Sequence, residues 1–127
     1  MPRVLVVDDE PEIRRLVRRV LEAEGLEVEE APDGQEAVEA CHRRPPDLMV
    51  LDLIMPRKEG LETIREVKSD LPSLKIIAIS GGGQGQPEGY LNLARHLGAE
   101  RALAKPFLPM QLVQLVNELL EGSGAEA

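Results

Sequence analysis

The stretch Asp47-Leu48-Met49-Val50-Leu51-Asp52-Leu53-Ile54-Met55-Pro56 decides the fold. Its apolar run is too short for a helix and shows no alternation, which is how a central strand covered on both faces reads. We place that strand at 47–52, so it ends on a carboxylate, Asp52. Three other runs end in the same way. Val4-Leu5-Val6-Val7 runs into Asp8-Asp9, Ile76-Ile77-Ala78-Ile79 into Ser80, and Leu103-Ala104 into Lys105-Pro106. In a parallel sheet those ends converge, so the four runs bring acids, a hydroxyl and an amine to one mouth.

Helical segments alternate with the strands. Strand one spans 3–8, and Pro11 opens a helix at a position where its missing N–H costs little. Ile13, Leu16, Val17, Val20 and Leu21 recur there at helical spacing, and Gly25 ends the helix. Residues 26–31 alternate Leu26, Val28 and Ala31 with glutamates, as on a half-exposed edge strand. Asp33 caps a helix over about 33–43, with Glu36 three residues on. A third helix carries Leu61, Ile64 and Val67 to about Leu71, where Pro72 stops it. Strand four is 75–80, helix four 87–97 closing on Gly98, strand five 101–105 and helix five 109–121. Five such units give a flavodoxin-like, doubly wound (βα)5 fold: a five-stranded parallel sheet in the order 2-1-3-4-5, its crevice at the carboxyl ends of strands one and three. The domain is expected over 1–121, followed by a flexible tail at 122–127.

Composition narrows the function. The chain has 127 residues and a formal net charge of −8, which repels a nucleic-acid backbone, so direct nucleic-acid binding is not expected. No apolar stretch approaches the ~20 residues of a membrane span. Met1-Pro2-Arg3 runs straight into a strand, leaving no room for a signal peptide, and the single Cys41 suits a reducing compartment. We therefore expect a cytoplasmic protein, with Cys41 packed as a small apolar residue.

Three carboxylates pressed together require shared protons or a cation. With oxygen ligands only, Mg2+ is the natural occupant: Asp9 and Asp52 bind it directly and Asp8 directly or through water. A carboxylate is also a competent nucleophile toward phosphorus. Phosphoryl transfer chiefly demands positioning and charge neutralisation, which Lys105 and the Ser80 hydroxyl supply, while Gly81 leaves space for the phosphoryl group.

Val6-Val7-Asp8-Asp9-Glu10, Asp52-Leu53-Ile54-Met55-Pro56 with Gly60 beyond it, Ile79-Ser80-Gly81 and Lys105-Pro106-Phe107 together resemble the receiver domains of bacterial response regulators. The resemblance covers about residues 3–121. It implies that Asp52 is the phosphoacceptor of a two-component or phosphorelay system, a signalling switch rather than an enzyme. Asp8 and Asp9 are then the acidic metal pair, the backbone carbonyl of Ile54 a further Mg2+ ligand, Ser80 the switch hydroxyl and Lys105 the site lysine, with a cis Lys105–Pro106 bond. The implied partners are a sensor histidine kinase or His-phosphotransfer protein and an unknown downstream protein. They would be served by a helix 4–strand 5–helix 5 surface, which also offers a weak homodimer. Arg14, Arg15, Arg18 and Arg19 read first as the solvated face of helix one and second as a docking site. His42 and His96 receive no role.

The chain departs from that family at three places. Ala102 stands three residues before Lys105, where an aromatic ring usually relocates on phosphorylation, and Tyr90 is a conceivable substitute. The Ser80–Gly98 segment is longer than usual and opens on glycines, so ordering of that loop on phosphorylation is expected to replace ring rotation. Lys58 and Glu59 replace a frequent Met-Asp, and Ile54 sets an apolar side chain beside the phosphoryl site. These departures keep a receiver-like scaffold that is never phosphorylated as the alternative function. A small aspartyl-phosphate hydrolase is a third reading, disfavoured because no second acid follows Asp52 two residues on.

Overall fold

The computed structural model describes residues 2–54, 60–81 and 87–125. Its elements are β1 (Arg3–Val7), α1 (Pro11–Ala23), β2 (Glu27–Ala31), α2 (Gly34–Arg43), β3 (Leu48–Asp52), α3 (Gly60–Asp70), β4 (Lys75–Ser80), α4 (Pro87–Leu97), β5 (Arg101–Ala104) and α5 (Pro109–Ala125). All strand pairs are parallel, in the order β2-β1-β3-β4-β5, which is the flavodoxin-like arrangement expected.

Every residue of β3 is buried, as an uninterrupted apolar run in the middle of a doubly covered sheet must be. Alternation along the strands then sorts side chains into two cores. Leu5, Val7, Met49, Leu51, Ile76 and Ala78 pack on one face with α2, α3 and α4. Val4, Val6, Leu48, Val50, Ile77 and Ile79 pack on the other with α1 and α5. Cys41 lies fully buried in the first core, where desolvation raises its thiol pKa to about 11, so it packs as an apolar residue and is unreactive at neutral pH.

Local signals act where the sequence placed them. The Asp33 side chain accepts the Glu36 N–H at 2.9 Å and caps α2. Gly25 and Gly98 take positive φ (87° and 126°) past the ends of α1 and α4, a conformation that carries no Cβ penalty only for glycine. The Lys105–Pro106 bond is cis. One boundary shifts: α5 continues to Ala125 rather than ending at Glu121, because Gly122-Ser123-Gly124-Ala125 contains no proline to stop the helix and glycine only weakens it. The expectations for Met55-Pro56, Lys58-Glu59 and the glycines at 82, 83 and 85 lie outside the described residues, as does the side chain of Tyr90.

Candidate phosphoryl-transfer site

Parallel register brings the polar strand ends together. Val7 aligns with Leu51, Asp52 with Ile79, and Ser80 with Ala104. Backbone hydrogen bonds continue the ladder past the strands. Asp8 N–H donates to the Ala31 carbonyl at 3.2 Å, Leu53 N–H to Ile79 at 2.9 Å and Lys105 N–H to Ser80 at 2.8 Å. Asp8, Asp52 and Lys105 continue the alternation that points toward the α1/α5 side, whereas Ser80 has the opposite parity. Three of the charged groups are thus fixed by backbone, not by loops.

Asp8, Asp9 and Asp52 each present a carboxylate oxygen, and the three oxygens lie within 4.8 Å of one another. Asp8 and Asp52 are buried (5% and 6% exposed), while Asp9 faces solvent. Lys105 Nζ stands 3.3 Å from Asp52 Oδ2, 3.5 Å from Asp8 Oδ2 and 3.9 Å from Glu10 Oε1. Asp52 Oδ1 accepts the Ile54 N–H at 3.1 Å, and Asp8 Oδ1 accepts the Glu10 N–H at 2.9 Å. Both buried acids are therefore held by one main-chain donor and shared with one ammonium.

That partnership only partly offsets burial. Desolvation pushes the Asp52 pKa up to about 6, with the Asp8 carboxylate adding to the rise, while the Lys105 charge and the Ile54 N–H pull it down. Burial disfavours the Lys105 ammonium, but the surrounding carboxylates, Asp52 first, outweigh it and raise its pKa. One ammonium among four carboxylates leaves the mouth negative, and the donors are oxygen only. Such a set fits a hard divalent cation. In an Mg2+ octahedron with bonds near 2.1 Å, ligands sit about 3.0 to 4.2 Å apart, so a 4.8 Å cluster fits when one carboxylate contacts the ion through water. Asp8, Asp9 and Asp52 are the residues that could hold it.

The structure corrects one assignment and divides another. A Cβ on Gly81 would lie 2.3 Å from Lys105 Cβ and 3.0 Å from its Cα, so the room left by this glycine lets Lys105 approach rather than the phosphoryl group. The arginine face of α1 is split. Arg14 bridges Glu30 at 2.8 Å and donates from Nη1 to the Asp8 carbonyl at 2.8 Å, and Arg18 pairs with Glu22 and Glu30, both at 2.9 Å. Hydrogen bonding to Arg18 leads the causes that lower the Glu30 pKa. Arg15 and Arg19 remain exposed. Ser80 is buried at the end of β4, the Ile54 side chain is 48% exposed beside Asp52, and Ala102 packs partly buried against the α2/α3/α4 core. His42 pairs with Asp70 at 2.7 Å and takes no part in the acidic cluster. Glu10, the third carboxylate near Lys105, was not singled out from the sequence. Its signal was a glutamate at the N-cap of α1, where shorter side chains are preferred and where it makes no capping bond.

The response regulator receiver domain family matches residues 4–117. The chain belongs to this family. As a receiver domain it is 35% identical over 118 residues to the chemotaxis protein CheY of Thermotoga maritima, covering 92% of this chain and 96% of that protein. The response regulator MprA of Mycobacterium leprae is 38% identical over 118 residues, 93% of this chain but only 50% of its own. The chain thus spans the length of the chemotaxis relative and half that of the longer regulator. Among solved structures, the receiver domain of NtrX from Brucella abortus superposes with a TM-score of 0.86 at 36% identity, over 93% of this chain and 98% of that one. A receiver domain protein from Clostridium thermocellum gives 0.90 at 26% identity, over the full length of both. No helix among the described residues is long and apolar enough to cross a membrane.

Proposed function

We propose that this receiver domain accepts a phosphoryl group on Asp52 from a sensor histidine kinase or a His-phosphotransfer protein. It then signals through the face formed by α4, β5 and α5. The observation that carries the reading is the burial of Asp52 between Lys105 at 3.3 Å and the Asp8–Asp9 pair, at the end of the central strand. An Asp52 carboxylate oxygen forms the new O–P bond as the donor's P–N bond breaks, and the leaving imidazole takes that electron pair. Mg2+, when bound, would neutralise charge on the phosphoryl oxygens. Lys105 supplies a second positive charge on a long stem, already poised over Asp52, and the Ser80 hydroxyl is the candidate donor to a phosphoryl oxygen. The acyl phosphate carries about −1.5 to −2 where the carboxylate carried −1, a net gain of up to about one negative charge in a buried site, enough to redistribute Lys105 and whatever packs on it. In this role the protein acts as a switch rather than as an enzyme with turnover of its own.

A second reading, an unphosphorylated protein-binding scaffold, draws on Ala102, which has no ring to move. Incubation with acetyl phosphate and Mg2+ followed by intact mass separates the two. A single phosphoryl adduct that is absent in Asp52→Asn supports the switch. No adduct from acetyl phosphate or from a histidine-phosphorylated donor protein refutes it and leaves the scaffold.

A further inference from the structure

The carboxylates around Lys105 differ in exposure. The Asp8 and Asp52 side chains are each 7% exposed, whereas Glu10 is 63% exposed and reaches the ammonium from the solvent side at 3.9 Å. Glu10 occupies the N-cap of α1 without a side-chain capping bond. Aspartate, asparagine or serine there would cap the helix better. The glutamate forgoes that bond, its longer stem carries the charge toward Lys105, and its own N–H holds Asp8 Oδ1 at 2.9 Å. It is therefore an acidic group on the outer side of a mouth that is already negative.

We propose that Glu10 is a specificity-determining residue for the phosphodonor, an electrostatic filter that slows small dianionic donors and favours those whose leaving group carries a compensating positive charge. The inference rests on Asp52 being the phosphoacceptor. Two small probes differ in the required way. Acetyl phosphate approaches as a dianion; its P–O bond breaks and acetate leaves with the electron pair. Phosphoramidate approaches as a monoanion with a protonated nitrogen; its P–N bond breaks and ammonia leaves. In both cases the new bond joins phosphorus to an Asp52 oxygen, so comparing each donor's rate with and without the Glu10 charge isolates the effect of the donor's charge. A unit charge about 10 Å from an incoming dianion in water at low salt changes its encounter by about three-fold, and a monoanion by less than two-fold.

The experiment measures initial rates of adduct formation by intact mass for the full chain, Glu10→Gln and Glu10→Asp, with each probe, in Mg2+ at low and high ionic strength. Glu10→Gln is expected to gain about three-fold toward acetyl phosphate and less than two-fold toward phosphoramidate at low salt. Both gains should close at ~0.5 M salt, and Glu10→Asp, which keeps the charge on a shorter stem, should show only a fraction of either gain. A helix-capping effect alone would move melting temperature without this salt dependence or donor preference. Equal rates for the parent and Glu10→Gln, or a gain that persists in high salt, overturn the filter while leaving Asp52 as phosphoacceptor. An adduct that survives in Asp52→Asn overturns both.

Discussion

Removing the carboxylate of Asp52 is expected to make the protein more stable at neutral pH. The group's pKa stands at about 6 instead of 3.8, chiefly because it is buried. The folded state therefore binds the proton more tightly than the unfolded chain. The contribution of this group to stability is greatest below pH ~4, declines as pH rises through 4–6, and is fully lost above the folded-state value. About two pKa units at 1.36 kcal/mol each amount to roughly 3 kcal/mol at pH 7.5. The attraction of Lys105 is already contained in that net shift, so the neutral isostere Asp52→Asn relieves most of it, by about 2–3 kcal/mol. Urea unfolding in EDTA, at intervals from pH 4 to 8, tests this. The midpoint of Asp52→Asn should exceed that of the parent by about 1–2 M at pH 7.5, and the gap should close toward pH 4. An Asp52→Asn protein less stable than the parent at pH 7.5, or a gap constant with pH, would refute the reasoning.

Other outcomes follow from the same geometry. Gly81→Ala should destabilise the fold by more than ~2 kcal/mol in urea unfolding and slow phosphorylation, because the new methyl group meets Lys105 Cβ at 2.3 Å and its backbone Cα and N at 3.0 and 3.1 Å. Millimolar Mg2+ should raise the melting temperature of the parent, by about 2.7 kcal/mol of stability at a hundred-fold excess over its dissociation constant. Asp9→Asn should lose most of that increment, and an undiminished increment would remove Asp9 from the metal site. Ile54→Asn should speed loss of the phosphoryl group several-fold in a phosphate-release assay, since the half-exposed apolar side chain lies beside Asp52 and hinders water. An unchanged lifetime would count against that role.

The sheet order and the strand-end chemistry were legible because each depends on local signals. An unbroken apolar run states that β3 is central, and β4 and α4 matched residue for residue because turn residues bracket them on both sides. The cap on α2 and the close of α4 at Gly98 were equally local. What could not be read depends on reach between residues distant in sequence. Gly81 reads as space at a strand end, and only the β4–β5 register shows that the space is filled by Lys105. The arginines of α1 look equivalent in sequence, yet Arg14 and Arg18 are drawn to Glu30 on the neighbouring edge strand while Arg15 and Arg19 are not. Glu10 shares Lys105 through a bridge across 95 residues of chain. The far end of α5 was misplaced for another reason: glycines weaken a helix by about 1 kcal/mol each without forbidding it.

The sheet divides the interior into two cores with no side chain in common, Leu5 and Val7 serving one and Val4 and Val6 the other. The hydrophobic interior is thus a pair of compartments separated by a backbone septum. Substitutions on opposite sides, such as Ile64→Val under α3 and Val116→Ala under α5, have no shared neighbour through which to couple, and their costs should add. The α1/α5 compartment lies under the acids and Lys105, and the α2/α3/α4 compartment lies under α4. The packing behind α4 is accordingly free to vary without disturbing the packing behind Asp8, Asp52 and Lys105.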